Sequence, residues 1–272
     1  MRKGLTLVAK LLIVSVMTHD KDTHLTVMTL NLRFGLADDG ANSWKYRKEA
    51  YPDLLRRFRP DFIAVQEANT FQTDYLTDFL DRYDFIGKYD PSPDFWQDNI
   101  IFFKTPWYCV REKVYFLSDT PEVNSKLPGS KWPRLCTIGV FQKGAHALIH
   151  VNTHFDFNAS VQEKSARLIL DFLKDFPDHI PAIVTGDFNT SPDSTTYGVF
   201  VDHGFNDPFQ GAHSSTFHGF TGEDLGGHID WILYRGNVSN VSHRIIRDRF
   251  SGIYPSDHYP VMCAFEFAPT GD

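Results

Sequence analysis

An apolar run that ends in polar residues spans Pro181-Ala182-Ile183-Val184-Thr185-Gly186-Asp187-Phe188-Asn189. The run is typical of a strand that crosses a hydrophobic core, and residues two positions apart, such as Asp187 and Asn189, share one face of a strand. Burying an acid and an amide at the end of a strand costs free energy unless they form hydrogen bonds or ion pairs, or bind a ligand. Asp and Asn are also common turn residues, so this run alone leaves a structural and a functional interpretation open.

The same arrangement recurs along the chain, where other apolar runs begin or end at Asn, Asp, Glu or His. Strand-like runs cover residues 25–31, 62–67, 147–154 and 226–234, and another follows residue 258. Because so many strand ends carry only these residue types, we expect them to converge on one site. The polar residues concerned are Asn31, Glu67, His154, Asp187, Asn189, Asp230, Asp257 and His258.

The order of strands and helices predicts one α/β domain over residues 25–272. The chain has 272 residues, 15% of them aromatic, and no Pro/Gly/Ser-rich linker or charge run divides it. Helical periodicity covers residues 44–58, with Pro52 inside it, and residues 70–81, and Ser160 and Glu163 form a capping box before another helix. Several strands follow one another without a helix, which favours a layered sandwich with mixed sheets over a purely parallel barrel.

Residues 1–24 form a leader for which the sequence leaves two interpretations open. A basic start precedes an apolar run over residues 5–17 that resembles a weak signal peptide. Lys10 interrupts the run, no A-x-A cleavage site follows it, and it is too short for a stable membrane span. We therefore favour a cytoplasmic protein with no stable membrane span, and export through this weak signal is the alternative.

The charge balance argues against a protein that binds long duplex DNA. The net charge is −7 and the pI is about 5.9, whereas a duplex binder needs many Lys and Arg contacts with phosphates. A small or lipid-like phosphoester, or the end of a short nucleic acid, fits the acidic chain better. The three cysteines show no metal-binding spacing and are interpreted as buried free thiols.

Metal-assisted hydrolysis is the chemistry that suits these polar residues. Carboxylate and amide oxygens without cysteine favour a hard cation, Mg²⁺ or Mn²⁺. A His beside an Asp can act as general acid/base or stabilise charge on a phosphoryl oxygen. The chain has no His-Glu-x-x-His zinc motif, no Gly-x-Ser-x-Gly elbow and no Walker-type phosphate loop.

Six short motifs occur in order: Thr29-Leu30-Asn31, Val65-Gln66-Glu67, Asn152-Thr153-His154, Gly186-Asp187-Phe188-Asn189, His228-Ile229-Asp230 and Ser256-Asp257-His258. Together they resemble the signature of the endonuclease/exonuclease/phosphatase superfamily, which has a deoxyribonuclease I-like fold. The resemblance spans residues 25–267, and Arg33, Trp44, Arg47 and residues 216–219 make it closer to the bacterial branch. It implies a four-layer αββα sandwich, in which two mixed β-sheets pack face to face with helices outside.

The resemblance also implies a divalent-metal centre with assigned roles. Glu67 would be the principal Mg²⁺ ligand, with Asn31 beside the metal and Asp257 completing that side. Asp187 would orient or activate the attacking water, and Asn189 would help to hold the phosphate.

The remaining roles implied by the resemblance concern the phosphoryl group. His258, oriented by Asp230, would bind the phosphoryl oxygen or serve as acid/base, and His154 would contact the same phosphate. Apart from the resemblance, three further residues are candidates to bind substrate: Arg33 and Arg167, which are otherwise solvated surface arginines, and His228, which could line the cleft.

The sequence therefore predicts a monomeric, Mg²⁺- or Mn²⁺-dependent hydrolase of phosphodiesters or phosphomonoesters. An alternative is a nuclease that acts on RNA or DNA through a local basic cleft. A hypothesis of another class is a non-catalytic binding module that kept the fold. That hypothesis predicts the loss of a central residue, yet all of them are present: Glu67, Asp187, Asn189, Asp230 and His258.

Overall fold

The computed structural model describes residues 23–89 and 92–269, which form two β-sheets flanked by helices. The first sheet contains β1 (His24–Asn31), β2 (Phe62–Ala68), β3 (Tyr83–Ile86), β4 (Asp98–Lys104), β10 (Val238–Ile245) and β11 (Val261–Phe267). The second contains β5 (Tyr108–Phe116), β6 (Leu135–Lys143), β7 (His146–His154), β8 (Ala182–Asp187) and β9 (Asp230–Arg235). The leader interpretation of residues 1–24 falls almost wholly outside the described residues.

Each sheet has one parallel pair of strands at its centre. The strand order is β10-β11-β1-β2-β4-β3 in the first sheet and β5-β6-β7-β8-β9 in the second. β1 runs parallel to β2, and β7 runs parallel to β8, whereas the other pairs are antiparallel. The carboxyl ends of two parallel neighbours lie at one edge of a sheet, so each sheet presents two strand ends together. The prediction of mixed sheets is confirmed.

Three apolar layers hold these elements together in a four-layer sandwich. The inner faces of the two sheets share one layer, in which the rings of Phe62 and Phe141 meet with centroids 4.9 Å apart. Fully burying a side chain such as Phe62 stabilises the fold by about 1.5–3 kcal/mol. The outer face of the first sheet is covered by α1 (Trp44–Arg47), α2 (Ala50–Phe58) and α3 (Thr70–Thr77), and that of the second by α4 (Ala159–Leu173) and α5 (Thr195–Val201).

A buried polar contact also joins the two sheets near the carboxyl ends of their strands. Asn152 on β7 donates through Nδ2 to the carbonyls of Val65 and Ile100, both at 2.9 Å. Its Oδ1 accepts from Nε2 of Gln66 at 2.7 Å. Because every hydrogen-bonding atom of the Asn152 side chain has a partner, this buried amide fixes how one sheet sits on the other.

The first and last strands lie side by side in the middle of the first sheet. β1 pairs antiparallel with β11, with His24 opposite Glu266, and the Phe267 amide donates to the Thr23 carbonyl at 3.0 Å. β1 and β11, which are far apart in sequence, therefore build one continuous part of the sheet. None of the helices in the described residues is long and apolar enough to cross a membrane.

Some element boundaries differ from the sequence predictions. The helix expected over residues 44–58 is two helices, and Pro52 lies in the first turn of the second, where its missing amide costs nothing. The capping box predicted at Ser160 is wrong, because α4 begins earlier and Asn158 accepts from the Ser160 amide. The edge strands β3, β5 and β10 were not predicted, since exposed polar residues interrupt their alternation.

Candidate active site

The carboxyl ends of strands from both sheets meet at one edge of the sandwich, where an amide joins them. Asn31, the last residue of β1, donates through Nδ2 to Glu67 Oε1 at 3.1 Å and to Asp187 Oδ2 at 2.9 Å. Glu67 lies near the end of β2 in the first sheet, and Asp187 ends β8 in the second. A single side chain therefore holds one acid from each sheet in place.

Two histidines and a second aspartate surround Asp187. His258 Nδ1 lies 2.9 Å from Asp230 Oδ2, and its Nε2 lies 3.8 Å from Asp187 Oδ2. On the other side, His154 Nε2 is 3.6 Å from the same Asp187 oxygen. All four side chains are buried. The Asp230 carboxylate thus orients the His258 ring so that Nε2 faces Asp187.

Asn189 is fixed beside His154 by three contacts. Its backbone amide donates to Asp187 Oδ1 at 2.9 Å. Its side-chain Nδ2 donates to the Phe155 carbonyl at 2.9 Å and lies 3.1 Å from His154 Nε2. With Nδ2 as the donor, His154 Nε2 is the acceptor and carries no proton.

The acids of the first sheet lie beside an arginine that is already paired. Glu67 accepts from the Phe34 backbone amide at 2.6 Å. Arg33 makes a two-point contact with Asp39 at 3.0 and 2.8 Å, and its Nε lies 3.7 Å from Asp257 Oδ2. Arg33 therefore balances acidic charge next to Glu67 and Asp257, with Asp39 fixing its planar fork.

A model of the endonuclease/exonuclease/phosphatase family matches residues 28–258. The chain belongs to the endonuclease/exonuclease/phosphatase family. This family consists of phosphoester hydrolases, so the resemblance seen in the six motifs is confirmed. Among curated proteins, none matches the chain significantly.

Solved structures of this family superpose on most of the chain. A family protein from Bacteroides thetaiotaomicron is 27% identical with a TM-score of 0.84, and the match covers 91% of this chain and 99% of that one. A mannosyl-6-phosphatase of the same organism is also 27% identical, with a TM-score of 0.82 and coverage of 89% and 100%. D. rerio TDP2 complexed with a single strand DNA product is 19% identical, with a TM-score of 0.73 and coverage of 90% and 100%, which shows the fold alone.

Burial and neighbouring charges set the protonation of the centre in this family member. Burial raises the pKa of Asp187 to about 7, against the opposing effect of His258. Burial also lowers the pKa of His258, but the carboxylates of Asp230 and Asp187 outweigh it and hold this pKa well above 6.5. Burial lowers the pKa of His154 well below 6.5. At neutral pH, His258 is therefore the cationic imidazole and His154 the neutral one.

The backbone is strained where it presents these side chains. Three non-glycine residues of the site, Arg33, Glu67 and Asn189, have positive φ values of 60°, 58° and 51°. Such conformations cost on the order of 1 kcal/mol or more and persist where the surrounding structure imposes them. Gly186 sits against the neighbouring strand so closely that a Cβ there would lie 2.2 Å from the Thr153 carbonyl oxygen. The position before Asp187 therefore requires glycine.

The donor set of the centre fits a hard divalent cation. Within the described residues, Asp187, Asp230 and His258 offer ligand atoms within 4.8 Å of one another, and Asp230 Oδ1 is buried without a hydrogen-bond partner. His258 is the poorest ligand of these, because Asp230 occupies Nδ1 and the raised pKa keeps the ring protonated. Oxygen donors, which Mg²⁺ and Mn²⁺ prefer, also come from the residues that the sequence predicted as ligands: Asn31, Glu67 and Asp257.

Two residues predicted to bind substrate lie away from these contacts. Arg167 is exposed on α4 and pairs with Glu163 one turn earlier at 2.8 Å. His228 precedes β9 and is buried, with Nδ1 3.0 Å from the Ser214 carbonyl. The structure brings Arg33 to the centre, does not bring Arg167 there, and uses one ring nitrogen of His228 to hold a loop.

Two residues at the centre had no role in the sequence prediction. Arg47 is buried and hydrogen-bonds the carbonyls of Leu32, Arg33 and Pro255, which ties the loop after β1 to the segment before Asp257. Arg134 is buried immediately before β6 and is close enough to Asp187 and Glu67 to interact with them electrostatically. The sequence did offer a signal for Arg134, because it is a charged residue directly next to an apolar strand. The predicted site residues were found by the same feature.

Proposed function

We propose that this chain is a divalent-metal-dependent hydrolase of small phosphate esters. The observation that carries the proposal is the buried arrangement of Asp187, His258 and Asp230, joined through Asn31 to Glu67. A structural ion-pair network would not need an acid with a pKa near 7 facing a protonated histidine. General acid/base chemistry at neutral pH does need such a pair.

Oxygen-bearing side chains at the strand ends of the first sheet and just before β11 are suited to hold the cation. Glu67, Asn31 and Asp257 would hold it through oxygen atoms, and Asp230 Oδ1 offers a further buried oxygen. When bound, the cation supplies positive charge that stabilises the phosphoryl oxygens in the transition state.

Asp187 is placed to orient and deprotonate the attacking water. Asn31 and the Asn189 amide each donate to one of its oxygens, so the carboxylate cannot rotate. With a pKa of about 7, Asp187 is a stronger base than an ordinary aspartate and is ionised above neutral pH. The water would be held by the remaining lone pairs of this carboxylate.

His258 is placed to donate a hydrogen bond to a phosphoryl oxygen. Asp230 holds Nδ1, so Nε2 carries its proton into the centre. A cationic donor directed at developing negative charge lowers the barrier more than a neutral one. Asn189 and the neutral His154 form the wall beside it.

The acidic chain and one of its relatives support a small phosphoester over a polymer. The net charge of −7 disfavours long nucleic acids. A mannosyl-6-phosphatase from Bacteroides thetaiotaomicron aligns over 89% of this chain at 27% identity. The monomeric state and cytoplasmic location stay predictions from the sequence, which size-exclusion chromatography and fractionation of the native cells would test.

The test is hydrolysis in the presence of Mg²⁺, Mn²⁺ or EDTA. The panel holds p-nitrophenyl phosphate, bis-p-nitrophenyl phosphate, glucose 6-phosphate, an inositol phosphate, sphingomyelin, single-stranded RNA and plasmid DNA. We expect cleavage of a small ester that EDTA abolishes and that Asp187→Asn reduces at least 10³-fold. Preferred cleavage of RNA or DNA would make the protein a nuclease. Absence of both hydrolysis and metal binding would leave a non-catalytic binding module.

Glu67→Gln tests the metal role separately. We expect its Mg²⁺ affinity to fall at least tenfold in calorimetry, because one charged oxygen of the donor set is lost. Asp81→Asn, an exposed carboxylate change away from the site, is the matched control. Unchanged Mg²⁺ affinity of Glu67→Gln would show that Glu67 is not a ligand and that other acids bind the cation.

A further inference from the structure

A pocket of about 350 Å³ opens directly beside the catalytic centre. His154 forms one side of it, and Phe34, whose amide binds Glu67, forms another. Its volume is at the lower end of the range of small-molecule sites and suits a compact ligand. Apolar residues make up most of the wall, including Phe95, Trp96 and Trp132.

The polar feature of this pocket is a buried arginine without a partner. Arg134 is 8% exposed and lines the pocket with Leu135 and His154. Its Nε has no hydrogen-bond partner, and the guanidinium makes no hydrogen bond or ion pair with the residues that the structure describes. The nearest ring, that of Phe157, lies 5.8 Å from its Cζ. A buried charge left unpaired is costly, so this guanidinium is a candidate to pair with a bound ligand.

The surrounding acids do not supply that partner. Asp156 is close enough to act on Arg134 electrostatically, but its Oδ2 accepts from the Ser130 hydroxyl and the Lys131 amide at 3.0 and 2.8 Å. Asp187 and Glu67 act on Arg134 in the same way and are held by Asn31. Within the described residues, these acids therefore influence the Arg134 charge without a hydrogen bond to its guanidinium, which lines the pocket beside His154.

The aromatic walls are also available. Phe95 is 64% exposed and Trp132 is 54% exposed, and they stand on two different loops. The Lys131 ammonium lies 5.3 Å from the Trp132 ring and adds positive charge at this side. Flat aromatic faces at a pocket mouth favour ligands that present a ring over ligands that present a chain.

We propose that Arg134 and this pocket form the substrate subsite of the enzyme: the guanidinium binds the phosphoryl oxygens, and the aromatic walls receive a single ring carried by the alcohol group of the ester. The ligand class is thus a phosphorylated compact ring, such as a hexose phosphate or a mononucleotide. The planar fork of arginine matches two phosphoryl oxygens at once. This inference rests on the proposed phosphoesterase function.

The experiment measures binding separately from turnover. In the inactive Asp187→Asn background with Mg²⁺, and again with EDTA, calorimetry records the affinities for inorganic phosphate, glucose 6-phosphate, adenosine 5′-monophosphate and glycerol 3-phosphate. Arg134→Gln and Arg134→Lys test the guanidinium, and Trp132→Ala tests the ring contact. Arg56→Gln and Tyr108→Ala, exposed changes away from the pocket, are the matched controls.

We expect Arg134→Gln to weaken all four ligands at least tenfold and Arg134→Lys to recover part of the loss. We expect Trp132→Ala to weaken the two ring esters at least fivefold while phosphate and glycerol 3-phosphate keep their affinities. Whichever of glucose 6-phosphate and adenosine 5′-monophosphate binds more tightly shows whether the pocket prefers a sugar phosphate or a nucleotide. Because Trp132 is exposed, its variant stays informative even where Arg134→Gln fails to fold.

Three outcomes overturn the inference. Unchanged phosphate affinity in folded Arg134→Gln removes the role of the guanidinium, and equal losses for ring and chain esters in Trp132→Ala remove the ring preference. The proposed function fails in a different way, through the absence of metal-dependent hydrolysis by the unmodified protein. Normal hydrolysis of ring esters, when Arg134→Gln and Trp132→Ala are each made in the otherwise unmodified protein, would refute the subsite and leave the phosphoesterase in place.

Discussion

Replacing Asp230 with asparagine tests the pairing on which the acid chemistry depends. The change keeps the shape of the side chain and removes its charge, leaving His258 next to a neutral amide at the same 2.9 Å position. A hydrogen bond to a charged group contributes about 1.5–3 kcal/mol, which corresponds to a loss of about 10- to 100-fold in kcat. We expect kcat to fall by that factor and KM to change less. The reason is that the hydrogen bond from His258 to the phosphoryl oxygen strengthens as negative charge develops on that oxygen in the transition state.

The pH dependence gives a sharper readout than the rate. Asp230 is the main group that raises the pKa of His258 against the effect of burial. Activity that needs the cationic imidazole therefore persists well above pH 6.5 in the unmodified protein. In Asp230→Asn, the alkaline limb of the kcat profile should move to lower pH.

The same substitution has a predicted signature in stability. A raised histidine pKa contributes stability that is fully present below the unfolded pKa of about 6.5 and is lost as the pH rises through the folded pKa. Asp230→Asn should therefore lower the thermal midpoint most at pH 6 and least at high pH. Asp81→Asn, an exposed change of the same kind, is the control. If the alkaline limb of the kcat profile lay at the same pH in the unmodified protein and in Asp230→Asn, the assignment of His258 as the cationic donor would be refuted.

Three further substitutions test the frame of the site. Gly186→Ala would place a Cβ 2.2 Å from the Thr153 carbonyl oxygen, so we expect a loss of about 4 kcal/mol or more in urea unfolding; a smaller loss would show that the strands can separate. Arg47→Met removes hydrogen bonds to several backbone carbonyls, and we expect about 3–5 kcal/mol of destabilisation with lower kcat; full activity would contradict its positioning role. Asp187→Asn in EDTA should raise the thermal midpoint at pH 8, because an acid with a folded pKa of about 7 is held ionised at a cost of up to about 4 kcal/mol. Below pH 7 the folded carboxyl is protonated and the difference should shrink towards pH 4; a lower midpoint at pH 8 would show that Asp187 stabilises the fold.

The convergence of the polar side chains of the site could be predicted from the sequence because they lie at strand ends. Apolar runs are local signals, and a polar residue that terminates one is visible without any knowledge of the fold. The sandwich with mixed sheets, inferred from the order of strands and helices, and the family, inferred from the resemblance of six motifs, are both confirmed. The structure also gathers Asn31, Glu67, Asp187 and His258 at one edge.

Contacts between distant elements could not be predicted in the same way. Nothing local shows that one Asn31 amide binds an acid from each sheet, or that Arg134 lacks a partner. Arg167 shows the opposite difficulty, which is a false positive. In the sequence, an exposed helix arginine that pairs with Glu163 cannot be distinguished from an arginine that binds phosphate. Roles that depend on burial and on the direction of a side chain need the three-dimensional arrangement.

The pairing of the first strand with the last has a consequence for how the enzyme is made. β1 carries Asn31, but its neighbour β11 is the last strand of the sheet, and Asp257 and His258 lie just before it. On the ribosome, the chain emerges from its amino end, so β1 cannot pair with β11 until more than 200 further residues have been synthesised. Closing so long a loop has an entropic cost that local structure cannot offset in advance. A nascent chain that lacks residues 257–267 would therefore have neither Asp257 and His258 nor the strand that pairs with β1.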